Sequence, residues 1–315
     1  MNQPQRVTGK LEDVTGNPHA IAENETLTRE RDTVQFRSEP AAIGQKIVFA
    51  FTLDHGVNTR DGDLLGVEID ARGVHCAVRV TAADHERSRA LWLEALPLFE
   101  KIGSPREVAR ATMEIGANWH AEDDLPRALE YYETSRVLLA GVDDPNAMGV
   151  VLANLGSVYE GLGDIDGAIR ATTEALEVAK AIGDEDGLAI SSLNLSTYEL
   201  ARGDTVAAAG YALTAIDKAI RLAYREVVAY ALGIAARVAL DTGRAEDAGV
   251  LGGAFLELFA AIGAEPQRAE AQRHAATLEA VARLTDVDAA VARGRALTLE
   301  EAADLSREVL TAALA

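Results

Sequence analysis

"ANLGSVYEGLGDIDGAIRATTEALEVAKAIGD" spans Ala153 to Asp184, and "LNLSTYELARGDTVAAAGYALTAIDKAIRLA", from Leu193 to Ala223, says nearly the same thing again. Aligned on the aspartate of the Gly-Asp pair, Asp164 has counterparts at Asp124 and Asp204. Asp84 and Arg244 extend the ladder, so a period of 40 residues holds over five registers without an insertion. A fixed period in the range of roughly 20–50 residues marks stacked supersecondary units.

The unit can be read from its residues. Each aspartate follows a small or turn-forming residue: Ala83, Asp123, Gly163 or Gly203. Glycine there supplies the left-handed conformation that ends a helix, and the aspartate accepts hydrogen bonds from the free N–H groups that start the next. Ala128, Ala168, Ala208 and Ala248 come one turn after the cap, and Ala95, Ser135, Ala175 and Ala215 two turns further on. Side chains this small let paired helices approach closely. Ile102, Val142, Ile182, Leu222 and Ile262 are expected to fill the far end of the second helix's core face. In the first helix, Ile115, Leu155 and Leu195 stand beside Gly116, Gly156 and Ser196, a large residue next to a hole.

Each repeat is thus predicted to be a helix, a Gly-Asp turn and a second helix. The string Asn154-Leu155-Gly156, Tyr159, Gly163-Asp164 and Ala168 resembles the tetratricopeptide repeat (TPR), and the resemblance covers residues 81–264. It implies an all-α fold, a right-handed α-α superhelix (a TPR solenoid with 40-residue repeats). The usual period is ~34 residues, so the extra six or so lengthen the helices by about 9 Å in total. That resembles the long-helix variety found in ligand-sensing regulators.

Residues 265–315 are expected to form C-terminal capping helices, because a solenoid must cover its last apolar face. Pro266 suits a helix's first turn, and Thr298 with Glu301 forms a capping box. The stretch "GRALTLEEA", Gly294 to Ala302, is similar to the tail of actinobacterial-type LuxR/STAND ATPase transcriptional regulators. Those relatives carry a P-loop ATPase and often a DNA-binding domain. This chain has no G-x-x-x-x-G-K-[ST] loop and no visible basic recognition helix, so neither activity is expected of it.

Residues 1–40 are polar and mixed in charge and are expected to be disordered or loose coil. Within 41–80, "KIVFAFTL", "LLGVEID" and "VHCAVRV" read as a small three-stranded β meander of unknown role. The fold expectation is therefore a solenoid with a small, partly disordered and partly β N-terminal segment.

The net charge is −20 with a pI near 4.7. This excludes phosphate backbones and anionic membranes as direct partners, since both need clustered Lys and Arg. Aromatics are only 5% of an Ala- and Leu-rich chain, as expected of closely packed helices. The single cysteine, Cys76, rules out a disulfide framework. "MNQPQRVTGK" lacks the apolar core of a signal peptide, and the longest apolar run before the repeats, Ile47 to Leu53, is too short to span a bilayer. A soluble, cytoplasmic protein is expected.

Little chemistry is visible. His75 and Cys76 are adjacent in a predicted strand and point to opposite faces, so they make neither a shared metal site nor a nucleophile–base pair. His55, Asp61, Asp63 and His85 are near in sequence, but ordinary turn and surface roles account for them. No G-x-S-x-G, H-E-x-x-H or G-x-G-x-x-G occurs. Neither catalytic residue, metal nor cofactor is expected.

The resemblance to TPR proteins implies that the first helices line a concave groove, with the residue before the Leu-Gly pair facing it. That position holds Glu114, Asn154, Asn194 and Ile234; the groove positions around it include Arg110, Tyr230, Ser157, Thr197 and Arg237. An asparagine amide donates and accepts at once, matching a peptide's own groups. The same asparagines could serve a neighbouring turn instead, and Arg110 and Arg237 could pair with acidic neighbours. The expected partner is a peptide, a protein segment or a small effector. Three readings stay open: a binding module in signalling or transcriptional regulation, a shortened regulator fragment with a structural role, and an enzyme carried by the N-terminal segment.

Overall fold

The computed structural model describes residues 28–30, 33–36, 68–70, 73–79 and 85–315. Two compact units divide the chain, residues 1–144 and 145–315.

The first unit contains four short strands, β1 (Thr28–Glu30), β2 (Thr33–Phe36), β3 (Glu68–Asp70) and β4 (Gly73–Arg79), in the antiparallel order β1-β2-β4-β3. The β3–β4 hairpin pairs Ile69 with Val74 and uses the last two segments of the expected meander. The third, "KIVFAFTL", lies outside the described residues. The partner of β4 is instead β2, with Val34 opposite Val78, in a stretch read from sequence as loose coil. Thr28, Thr33, Val34 and Phe36 suit a pleated strand, and the charged Arg31-Asp32 pair that follows Glu30 in sequence obscures them in a composition count.

Helices α1 (His85–Ile102), α2 (Pro105–Ala121) and α3 (Leu125–Leu139) complete this unit. Ala95, Phe99 and Ala111 form a small core against Trp92, Leu96 and Val108. The buried Ser135 donates to the Ala109 carbonyl oxygen at 2.8 Å, so a hydroxyl replaces the usual alanine without an orphaned group. The Trp119 ring is covered by the guanidinium groups of Arg89 and Arg127, at 3.7 and 4.3 Å from its centroid.

The second unit holds α4 (Pro145–Gly161), α5 (Ile165–Ile182), α6 (Glu185–Arg202), α7 (Thr205–Arg221), α8 (Arg225–Asp241) and α9 (Ala245–Ile262), then α10 (Arg268–Val281), α11 (Val287–Arg295) and α12 (Leu299–Ala313). The repeat is visible in the helix starts. His85, Leu125, Ile165, Thr205 and Ala245 open alternate helices at 40-residue intervals, and Pro105, Pro145, Glu185 and Arg225 open the others. Asp164, Asp184 and Asp204 cap their helices by accepting from the N–H of Gly167, Gly187 and Ala207. Gly163, Gly183, Gly203, Gly243 and Gly263 carry the left-handed turns between them. Arg244 stands in the ladder but its side chain caps nothing.

The expected α-solenoid packing is present. α4 pairs with α5, α6 with α7 and α8 with α9, and α4, α6 and α8 pack along one another. Leu155, Leu195, Ala168, Ala208 and Ala248 are buried. A Cβ at Gly156 would fall 2.0 Å from the Thr172 hydroxyl oxygen, so the anticipated hole is real. One expected ladder is not core: Ile182 and Leu222 are each 38% exposed. Ile182 is the last residue of α5 and Leu222 the residue that follows α7, each one position before a left-handed residue, where the helix has ended.

The C-terminal helices do not stack as one lid. α11 lies tightly on α9, α12 packs on α7, α8 and α9, and α10 meets α8 and α9 more sparsely. A Cβ at Gly294 would lie 1.8 Å from the Val250 carbonyl oxygen, and one at Gly253 would lie 2.2 Å from that of Val291. α9 and α11 therefore touch backbone to backbone. The capping box forms, with the Thr298 N–H donating to Glu301 at 2.8 Å and the Glu301 N–H returning to the Thr298 hydroxyl. Pro266 falls just before α10 rather than inside its first turn. Among the described residues, no helix is long and apolar enough to cross a membrane.

Candidate functional site

The eight residues singled out from sequence fall into both units. Arg110 and Glu114 lie on α2 of the first. The Arg110 Nε reaches the buried carboxylate of Asp144 at 3.2 Å, and Arg106 approaches the same oxygen at 3.5 Å. Arg110 is thus engaged by an acidic neighbour. Burial pushes the Glu114 carboxyl above the ordinary range, with the Arg110 charge pulling it partly back.

Asn154 and Ser157 on α4, Asn194 and Thr197 on α6, and Tyr230 and Arg237 on α8 belong to the second unit. The two asparagines stand at equivalent positions of adjacent helices. Both are half-buried, and among the described residues neither side chain has a hydrogen-bonding partner. Thr197 is buried. The Ser157 hydroxyl lies 3.5 Å from that of Tyr198 on α6, joining the two helices by their polar groups. Desolvation pushes the Tyr198 phenol up to about 12, so it stays protonated and available as a donor. Arg237 turns along its own helix and forks onto Asp241 at 2.9 and 3.0 Å.

Tyr230 is occupied. Its hydroxyl accepts the N–H of Gln267, at the start of α10, at 3.1 Å, and its ring packs edge-on to Phe259. From there α10 packs on α8 and α9 and reaches α4 through one long side chain. Arg273 donates to Glu160 on α4 at 2.7 Å and forks onto Glu270 at 2.6 and 3.2 Å. Burial disfavours the guanidinium charge, but Glu270 and Glu160 together more than offset this. One residue on, His274 is 5% exposed, stacked on Phe255 with centroids 4.0 Å apart. Both ring nitrogens are buried, and the Gly252 backbone is the polar group beside them. Desolvation holds this imidazole down to about 4, hence neutral.

Sequence reasoning missed Glu160, Tyr198, Arg273 and His274. A signal existed. Continuing the 40-residue step from Asn154, Asn194 and Ile234 lands on His274. The frame finds the residue but gives the wrong environment, since His274 is packed against α9 instead of lining a groove.

No protein-family model matches the chain, and no curated protein matches it. Among solved structures, that of BtubC (BKLC) from P. vanneervenii is similar, with a TM-score of 0.51 and 16% identity, covering 73% of this chain and 92% of that one. At that identity the likeness is one of fold, and it agrees with the helical-repeat architecture seen here.

Proposed function

We propose that this chain is a non-enzymatic binding module whose α4–α6–α8 face recognises a peptide or protein segment. The observation that carries the reading is the pair Asn154 and Asn194. Two half-buried amides, in register on neighbouring helices, are left without protein partners. A half-buried amide that bonds to nothing in its own chain is suited to an incoming backbone, which offers one donor and one acceptor per residue. Ser157 and Tyr198 extend the polar strip. A role in signalling or transcriptional regulation rests on the resemblance of Gly294–Ala302 to regulator tails, and a small effector in place of a peptide would use the same groups.

The test is an array of short peptides probed with the full-length protein and with its Asn154→Leu, Asn194→Leu double variant. Selective binding to a subset of peptides, lost in the double variant while its helical content is unchanged, is the expected result. Identical profiles for the two proteins would overturn the reading.

A further inference from the structure

α10 packs more sparsely on the rest of the second unit than α11 and α12 do. Its buried side chains are His274, Thr277 and Val281, and most of the rest of it is exposed. Its longest-range tie is the Arg273–Glu160 ion pair, which joins residues 113 apart in sequence. Arg273 is 43% exposed, and partly exposed pairs of this kind hold weakly. The anchor beside it, His274, buries both ring nitrogens with only the Gly252 backbone beside them, and under-satisfied polar atoms subtract from the packing they accompany. A helix held this way belongs to the low-stability end of a fold, where local opening occurs without global unfolding. Its N-terminal half reaches the α4–α6–α8 face at three points: the N–H of Gln267 donates to Tyr230 of α8, the Arg273 and Glu270 charges act on Tyr198 of α6, and Arg273 pairs with Glu160 of α4.

We propose that α10 is a displaceable occupant of the α4–α6–α8 face, which closes the binding surface in the resting protein and leaves when a ligand enters. This rests on the function proposed above and assigns that site its regulation. It also assigns part of the ligand's chemistry. With α10 gone, Glu160 loses the cation it pairs with, so the entering segment carries a Lys or Arg to replace Arg273. A basic segment also suits a chain with a net charge of −20.

The experiment uses full-length protein and hydrogen exchange resolved by segment. In the wild type, α10 amides are expected to exchange at least about tenfold faster than those of α8, α9 and α11. Arg273→Glu, which sets three carboxylates together, is expected to speed α10 by a further factor of about ten while α11 and α12 are unchanged. The charge swap Glu160→Arg with Arg273→Glu is expected to restore protection, which a folding defect would not allow. A fluorescent peptide copying residues 265–284 is expected to bind Arg273→Glu in trans and not the wild type. Exchange of α10 in step with the core, an unmoved rate in Arg273→Glu, or equal or absent peptide binding in the two proteins would each overturn the proposal. The two readings separate cleanly. If α10 opens as described but array binding ignores Asn154 and Asn194, the asparagine reading fails alone. If binding depends on the asparagines while α10 stays locked, the displaceable helix fails alone.

Discussion

Residues 225–262 and 265–302 occupy successive 40-residue frames, yet they fold differently. In the first, α8 and α9 form a pair like those before it, with Phe255 seated over Gly233. In the second, α10 packs sparsely on α8 and α9 and reaches α4 through Arg273, while a short α11 presses on α9. Two differences account for this. The left-handed turn positions, which recur through 203, 223, 243 and 263, have no successor at Arg283 among the described residues. And α9 offers Gly249, Gly252 and Gly253, so the backbone of α11 can approach closely at Gly253, while α10 meets Gly252 and Gly249 through the side chains of His274, Leu278 and Val281 alone. The frame sets where helices begin and end; the smallest side chains set which helices meet.

The largest effect is expected at that backbone contact. Gly294→Ala places a methyl group against the Val250 carbonyl, which cannot rotate away. A loss of roughly 3–4 kcal/mol in urea unfolding is expected, at the upper end for overpacking. A loss under about 1 kcal/mol would mean that α11 shifts freely and that the glycines do not define its seat.

Next is His274. Its folded-state pKa of about 4 lies below the ordinary ~6.5. The unfolded chain binds this proton first as pH falls, so the contribution is complete above about pH 6.5 and is lost as pH drops towards 4. The full loss is about 3 kcal/mol. His274→Leu should flatten the stability–pH curve over that window relative to wild type, by one proton's worth of slope. Parallel curves would show that the imidazole is hydrated and α10 already open.

Gly233→Ala probes the ordinary pair. Its Cβ would lie 3.1 Å from the Phe255 ring, a side chain that can give way. A cost of about 1 kcal/mol is expected, well below Gly294→Ala. Equal costs at the two sites would erase the distinction between paired helices and the α9–α11 contact.

The smallest effect concerns the turn ladder. Ala223 holds φ at 56° where its counterparts Gly183, Gly203 and Gly243 are glycines. A left-handed alanine costs about 1–2 kcal/mol, part of which glycine's unfolded-state entropy offsets. Ala223→Gly should therefore raise stability by about 0.5–1 kcal/mol, read as a higher urea midpoint. A lower midpoint would show that the methyl group is needed at this turn.

The repeat, its period, its Asp caps, the buried alanines and the knob-and-hole pairs were legible in the residues alone, because each rests on contacts within one helix pair, where spacing along the chain fixes spacing in space. It also marked Asn154, Asn194 and Ser157, whose positions follow from the same register. The rest depends on packing between elements far apart in the chain. Arg237 turns to Asp241, and Ile182 and Leu222 face solvent, because helix ends and long flexible side chains answer to neighbours that the period does not encode. The meeting of Arg273 with Glu160 and the seat of His274 on Phe255 depend on how α10 leaves the frame. That choice is made by competition between α10 and α11 for the glycine face of α9. Close backbone approach is a property of two surfaces in three dimensions, and a one-dimensional repeat carries no record of which helix wins it.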